Sequence, residues 1–208
     1  ADRGLVDAER FRELAFNAHL VFGEELPFDL PIASLEGYLF PDTYFFVEGL
    51  NEEEIIRQMV GRFRQVVENS VIPLLAESDL TLHQVVTLAS IVEREIMVDE
   101  ERPLVASVYL NRLAVDMPLQ ADPTVRYVTE EERPVVLYRD LEIDSPYNTY
   151  RYRGLPPGPI ASPGLASMLA VLKPAETDYY YFVSRRDGTH EFSRTYDEHL
   201  SARRKYGY

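Results

Sequence analysis

The helix that opens at Thr81 carries the carboxylate best suited to acid–base chemistry. Thr81 and Gln84 form a capping box, and the apolar spacing behind them predicts a helix through about Ile96. At about 100° per residue, Leu82, Val85, Val86, Ala89, Val92 and Ile96 share one face, and Glu93 falls inside that arc. His83, Thr87 and Arg94 fall on a polar face, and Glu95 projects from the opposite flank of the apolar arc. A carboxyl buried without an ion-pair partner has a raised pKa, as a general acid near neutral pH requires. Carboxylic acids in apolar surroundings are the pattern of glycosidic-bond cleavage. The same periodicity also fits a structural glutamate satisfied by an arginine or by backbone amides.

A second group of polar residues sits in the stretch from Met117 to Pro163, which is rich in Pro, Tyr, Asn and Asp and poor in regular pattern. Loops of that length in a compact domain are usually functional. Gln120, Asp122, Asn148 and the hydroxyls of Tyr147, Tyr150 and Tyr152 can hydrogen-bond sugar hydroxyls and N-acetyl groups, and tyrosine faces pack on pyranose rings. Each is unremarkable singly; their clustering makes the case. Other signatures are absent: there is no glycine-rich phosphate loop, no His-Glu-x-x-His, no Gly-x-Ser-x-Gly and no cysteine. His19, His83, His190 and His199 are scattered without metal-ligand spacing, so no metal site is expected.

The elements that must position these groups are mostly helices. Val6–Phe16 reads as a short amphipathic helix, Pro27–Pro31 as irregular chain, and Glu36–Phe46 as extended, half-buried chain broken by Pro41. Asn51 and Glu54 form a capping box that opens a helix to about Asn69. Asp99 is expected to cap a helix from about Arg102 to Ala114, and Ser162-Pro163 to open one to about Leu172. Tyr179–Ser184 and Thr189–Ser193 read as strands of a hairpin around Asp187-Gly188. Thr195 and Glu198 then cap a last helix to about Tyr206. The sum is an α+β fold, a single domain over 1–208, with several amphipathic helices around a small antiparallel sheet and a long irregular substrate-binding loop.

Composition bounds the partners. The 208 residues are 46% hydrophobic and 12% aromatic, which rules out disorder, and no apolar run approaches a membrane span. The chain opens on Ala1 without a signal-like stretch, which suggests either a cytosolic protein or a soluble piece of something longer. With 35 acidic residues against 21 basic ones, a formal net charge of −14, nucleic acid and anionic lipid are unfavoured partners. All but two of the basic residues, Lys173 and Lys205, are arginine.

Six segments together resemble one family. They are Glu36–Tyr44, Leu88–Glu95, Val105–Leu113, Leu119–Val125, Tyr147–Tyr150 and Gly154–Ile160. In this order they resemble the YceG-like endolytic murein transglycosylases. The resemblance implies cleavage inside peptidoglycan glycan strands, at the bond from N-acetylmuramic acid to N-acetylglucosamine, leaving 1,6-anhydro ends without cofactor or metal. It implies that Glu93, the first glutamate of Ile91-Val92-Glu93-Arg94-Glu95, is the catalytic acid, with Glu95 as a supporting or substrate-binding residue. Gln120, Asp122, Tyr147, Asn148 and Tyr150 would complete the substrate site, with Asp122 the best candidate for any second carboxylate. It also implies a bacterial cell-envelope location outside the cytoplasmic membrane and association with penicillin-binding synthases. The membrane helix and LysM-like portion usual in the family are not evident. A hydrolytic muramidase and a non-catalytic glycan-binding scaffold module are the alternatives.

Overall fold

In the computed structural model, residues 6–26, 28–47, 49–129 and 135–208 are described; Pro27 and residues 130–134 of the expected loop lie outside them. Helix α1 (Ala8–Phe16) is capped by Asp7, whose side chain accepts from the Arg10 N–H, and α2 (Ala18–Phe22) follows at once. The segment after it passes through a turn at Glu36–Tyr38 and then runs extended with no strand partner among the described residues. Gly37 sits there at φ +86°, and a Cβ would meet the Pro159 ring at 2.5 Å, so glycine is required on both counts.

Helix α3 (Glu52–Val66) opens on the expected Asn51–Glu54 box, with both reciprocal bonds at 2.9 Å. It does not stop at Asn69: a π turn (Val67–Val71) leads into α4 (Ile72–Leu75). Pro73 explains the widening, because its ring excludes the carbonyl one α-turn earlier and it has no N–H to donate. Helix α5 (Leu82–Glu95) has the Thr81–Gln84 box and is buried on every side from Val85 to Val92. Thr87, expected on a polar face, is among the buried residues.

Asp99 does not cap α6 (Arg102–Ala114). It lies in a 3-10 turn (Asp99–Glu101), and its carboxylate takes the Arg102 guanidinium instead. Within the stretch expected to be irregular, α7 (Asp122–Val128) and a 3-10 turn (Tyr138–Glu142) form. Helix α8 (Leu165–Leu172) begins two residues later than Ser162-Pro163 suggests, with Gly164 at its N-cap, because the Gly164 N–H is turned to a side chain of α5. Strands β1 (Tyr181–Ser184) and β2 (His190–Ser193) pair antiparallel, Tyr181 opposite Ser193 and Ser184 opposite His190. The Thr195–Glu198 box opens α9 (Tyr196–Tyr206), and Gly207 ends it in the left-handed region.

The architecture is α+β, with α5 at the centre of the main core and α6, α7 and α8 packed around it. A second cluster, from Leu14, Ala18, Val21, Leu35, Ile56 and Val60, joins α1 and α2 to the outer face of α3. Among the described residues no helix is long and apolar enough to cross a membrane.

Candidate active site

The last turn of α5 sends its two glutamates to opposite flanks. Glu93 faces α8 and the start of α6. Its Oε2 accepts from Ser167 Oγ at 2.6 Å, Arg102 Nη1 at 3.1 Å and the Gly164 N–H at 3.3 Å. Arg102 also donates to Ser167 Oγ at 2.6 Å. The Glu93 side chain is 30% exposed and that of Arg102 14%. The expected carboxyl without an ion-pair partner is therefore not found at Glu93: the arginine-and-amide alternative describes it, and the group clamps α5 to α6 and α8.

Glu95 has the properties sought. It lines a polar pocket of about 350 Å³ with Tyr109 and Arg112 from α6, Gln120 and Asp122 before and in α7, Tyr150 from the following loop, and Tyr181 from β1. Tyr109 donates to Glu95 Oε1 at 2.7 Å, while Oε2 has no partner among the described residues. Burial pushes the Glu95 carboxyl up to about 7, and the negative charge of Asp122 adds to the rise. The Tyr109 hydrogen bond and the charges of Arg126 and Arg112 oppose it without cancelling it. Tyr109 in turn is held well above the usual phenol range, first by its own burial and then by Glu95.

The walls of this pocket are fixed by buried polar contacts. Arg112 is buried under Tyr181, its guanidinium 5.4 Å from the ring centroid, and donates to the Tyr180 carbonyl at 2.7 Å and the Leu119 carbonyl at 2.5 Å. The second bond holds the chain just ahead of Gln120, which is exposed at φ +48°, a left-handed conformation. Tyr150 donates to Asp122 Oδ1 at 2.6 Å, tying the loop to the first turn of α7. His199 of α9 closes the far side; burial lowers its pKa, as do Arg203 and Arg112.

Of the residues singled out from sequence, Glu95, Gln120, Asp122 and Tyr150 come together here, and four do not. Asn148 is fully buried: its amide donates to the carbonyls of Leu141 (3.0 Å) and Ile143 (2.8 Å), and its Oδ1 accepts from the Tyr150 N–H at 3.0 Å. It is a brace of the loop and has no free group for a sugar. Tyr147 packs against Tyr127, centroids 4.9 Å apart and the rings tilted by 42°, beside a different pocket. Glu93 is in the clamp described above. Tyr152 is also outside, its hydroxyl on Asp144. Sequence reasoning missed Tyr109 and Arg112; their three-residue spacing on one helix face, with an arginine inside an apolar run, was the available signal.

The YceG-like family profile matches residues 4–205. Over 173 residues the chain is 44% identical to a Bacillus subtilis protein named endolytic murein transglycosylase, covering 83% of this chain and 48% of that one. A Streptococcus pneumoniae protein of the same name is 36% identical over 158 residues, 72% of this chain and 28% of its own length. The chain thus spans about half, or less, of the curated relatives it matches. A crystal structure of a yceG-like protein from Listeria monocytogenes superposes with a TM-score of 0.79 at 38% identity, covering 95% of this chain and 65% of that one. With nearly its whole length matched, and with relatives this similar, the chain belongs to the YceG-like family.

Proposed function

We propose that this protein cleaves peptidoglycan glycan strands internally by transglycosylation, with Glu95 in the role the sequence reading gave to Glu93. The observation that carries this reading is a carboxyl on the wall of a polar pocket, held at Oε1 by Tyr109 with its other oxygen without a partner among the described residues; burial pushes its pKa up to about 7. The pocket lies in the size range of about 300–1,000 Å³ common to ligand sites. The names of the Bacillus and Streptococcus relatives support the polymer and the reaction.

At neutral pH a sizeable fraction of Glu95 carries the proton that a leaving oxygen needs. Tyr109 fixes Oε1, so Oε2 is the oxygen free to face a substrate. Glu95 donates to the glycosidic oxygen between N-acetylmuramic acid and N-acetylglucosamine as the C1–O bond breaks. The C6 hydroxyl oxygen of the same muramoyl sugar then attacks C1, and its proton returns to Glu95. The carboxyl is regenerated, and the product ends in a 1,6-anhydro ring. Because the nucleophile belongs to the substrate, no second carboxylate has to supply one. Asp122, held by Tyr150, contributes negative charge that raises Glu95 and offsets the positive charge developing at C1. Acting on this polymer, the protein works in the cell envelope outside the cytoplasmic membrane, on strands made by penicillin-binding synthases.

A digest of purified peptidoglycan read by mass spectrometry tests this directly. Fragments ending in anhydromuramic acid, one water lighter than hydrolytic products, are expected. The pairing of Glu95 with Asp122 in one pocket favours a hydrolytic muramidase as the second reading, and reducing ends alone would establish it. Binding without any soluble product would leave a glycan-binding scaffold.

A further inference from the structure

A second pocket of about 330 Å³ lies across the first turn of α7 from the first. Arg94 of α5 and Arg126 of α7 line it, with Tyr127, Ile160 and Glu36. The same two helices build both pockets: Arg94 precedes Glu95, and Arg126 follows Asp122 by one helical turn. Both arginines are exposed, and among the described residues neither side chain has a hydrogen-bond or ion-pair partner. In a chain with 35 acidic residues, two guanidiniums without a partner among the described residues line the same pocket. Nine of the other described arginines, Arg102 and Arg153 among them, face a carboxylate within 4.0 Å.

Resting on the proposed action on peptidoglycan, we infer that this pocket receives the peptide branch of a neighbouring muramoyl residue, with Arg94 and Arg126 taking a peptide carboxylate. Guanidinium forks match carboxylates in geometry and charge. Ile160, Ala161 and the Tyr127 ring, itself packed at a tilt against Tyr147, give apolar contacts for the small side chains of such a branch. Glu36 selects among anions. A carboxyl beside two arginines repels a bare phosphate but accepts from a peptide N–H or an ammonium, so a ligand bearing both signs fits best. The junction of the two pockets at α7 lets a strand place its scissile bond at Glu95 while a branch reaches the arginines.

Two measurements decide it. The free tripeptide L-alanyl-γ-D-glutamyl-L-lysine has no glycosidic bond, so its binding to the native protein is read by calorimetry independently of any cleavage. It should bind the native protein at least about tenfold more tightly than the Arg94→Gln/Arg126→Gln variant. The same peptide amidated at its carboxylates should show the same loss on the native protein. Inorganic phosphate binding as tightly as the peptide, or equal peptide binding by both proteins, would overturn the proposal. In the second measurement, kcat/KM is compared on peptide-bearing strands and on strands stripped of peptide. Arg126 also acts electrostatically on Glu95, an effect that cancels in the ratio of the two substrates. That ratio should fall toward one in the double variant; an unchanged ratio overturns the subsite. If the native protein cleaves neither substrate, the transglycosylase reading fails, and the peptide titration still decides the pocket.

Discussion

Glu93 and Glu95 are two residues apart, yet their surroundings assign them different work. Three donors converge on one oxygen of Glu93, whereas Glu95 has a single phenol donor and an oxygen open to the pocket. Glu95→Gln keeps the acceptor for Tyr109 but has no proton to transfer, so turnover should fall by about 10²–10⁴-fold or more. Glu93→Gln should retain most of its turnover and lose only about 0.5–1.5 kcal/mol of stability through the weakened Arg102 contact. Assaying both variants on one peptidoglycan preparation separates them; an active, folded Glu95→Gln protein would sink the mechanism. The pH dependence follows from the raised Glu95 pKa. Its folded value, about 7, lies above the ordinary carboxylate range, so the folded state holds the proton more tightly than the unfolded chain. Stability from this group is therefore full below about pH 4.5 and is lost progressively as pH rises to about 7, and the loss stays constant above that. Thermal unfolding of the native protein should drop more between pH 5 and 8 than that of Glu95→Gln, by on the order of 1–3 kcal/mol. Equal drops would mean that Glu95 is not desolvated. The apolar arc drawn from sequence selected Glu93 because it assumed one buried face. Helix α5 is buried all round, with α6 and α7 on one flank and α8 on the other, so both glutamates leave a packed helix and only the neighbours distinguish them.

At the scale of elements, local chemistry was readable wherever a side chain closes its own helix end. The boxes at Asn51, Thr81 and Thr195 all form with both reciprocal bonds, and the hairpin turns where Asp187-Gly188 indicated. What stayed hidden depends on distant partners. Helix α7 has no side-chain cap, and its only local signals are Asp122 and Pro123 in the first turn. Its start is held instead by Thr149, which accepts from the Ala121 N–H at 3.0 Å and touches Thr124 Oγ1 at 2.8 Å. Asn148 was read as a ligand for sugar because asparagine in a loop is usually exposed, yet here it ties three backbone groups together. Asn148→Ala should consequently destabilise the protein by about 2–4 kcal/mol, since two carbonyls lose a buried partner. Gln120→Ala, at an exposed side chain with no partner among the described residues, should leave the unfolding midpoint unchanged and raise KM. A stable Asn148→Ala protein with poor substrate binding would reverse these assignments.

Over the whole molecule, two apolar clusters contribute stability and only one of them carries the chemistry. The pocket at Glu95 rests on the main core, in which Leu88, Ile91 and Val92 of α5 are fully buried. The smaller cluster of α1 and α2 meets it across α3, whose Ile56 and Val60 face outward to Leu14 while Phe63 and Val66 face inward, and through Phe28 and Leu30, which pack against both. Removing a buried methylene set costs its transfer free energy plus the cavity left behind, about 2–5 kcal/mol for Leu or Ile to Ala in either place. The functional consequences should differ. Leu14→Ala opens its cavity against α3, so the folded molecules should keep the native kcat and pH profile although the melting point falls. Ile91→Ala opens one a single turn before Glu95, where loosened packing admits water to the carboxyl. Desolvation is the first cause of the raised Glu95 pKa, so relieving it moves the group back toward its ordinary range. The alkaline limb of the Ile91→Ala pH–rate profile should shift to lower pH, and kcat at neutral pH should fall beyond what lost folded protein explains. Measuring both variants well below their melting points, with activity normalised to folded protein, makes the comparison. An identical shift in Leu14→Ala would show that α3 couples the two clusters into one unit and that the pocket's electrostatics depend on the packing of the entire chain.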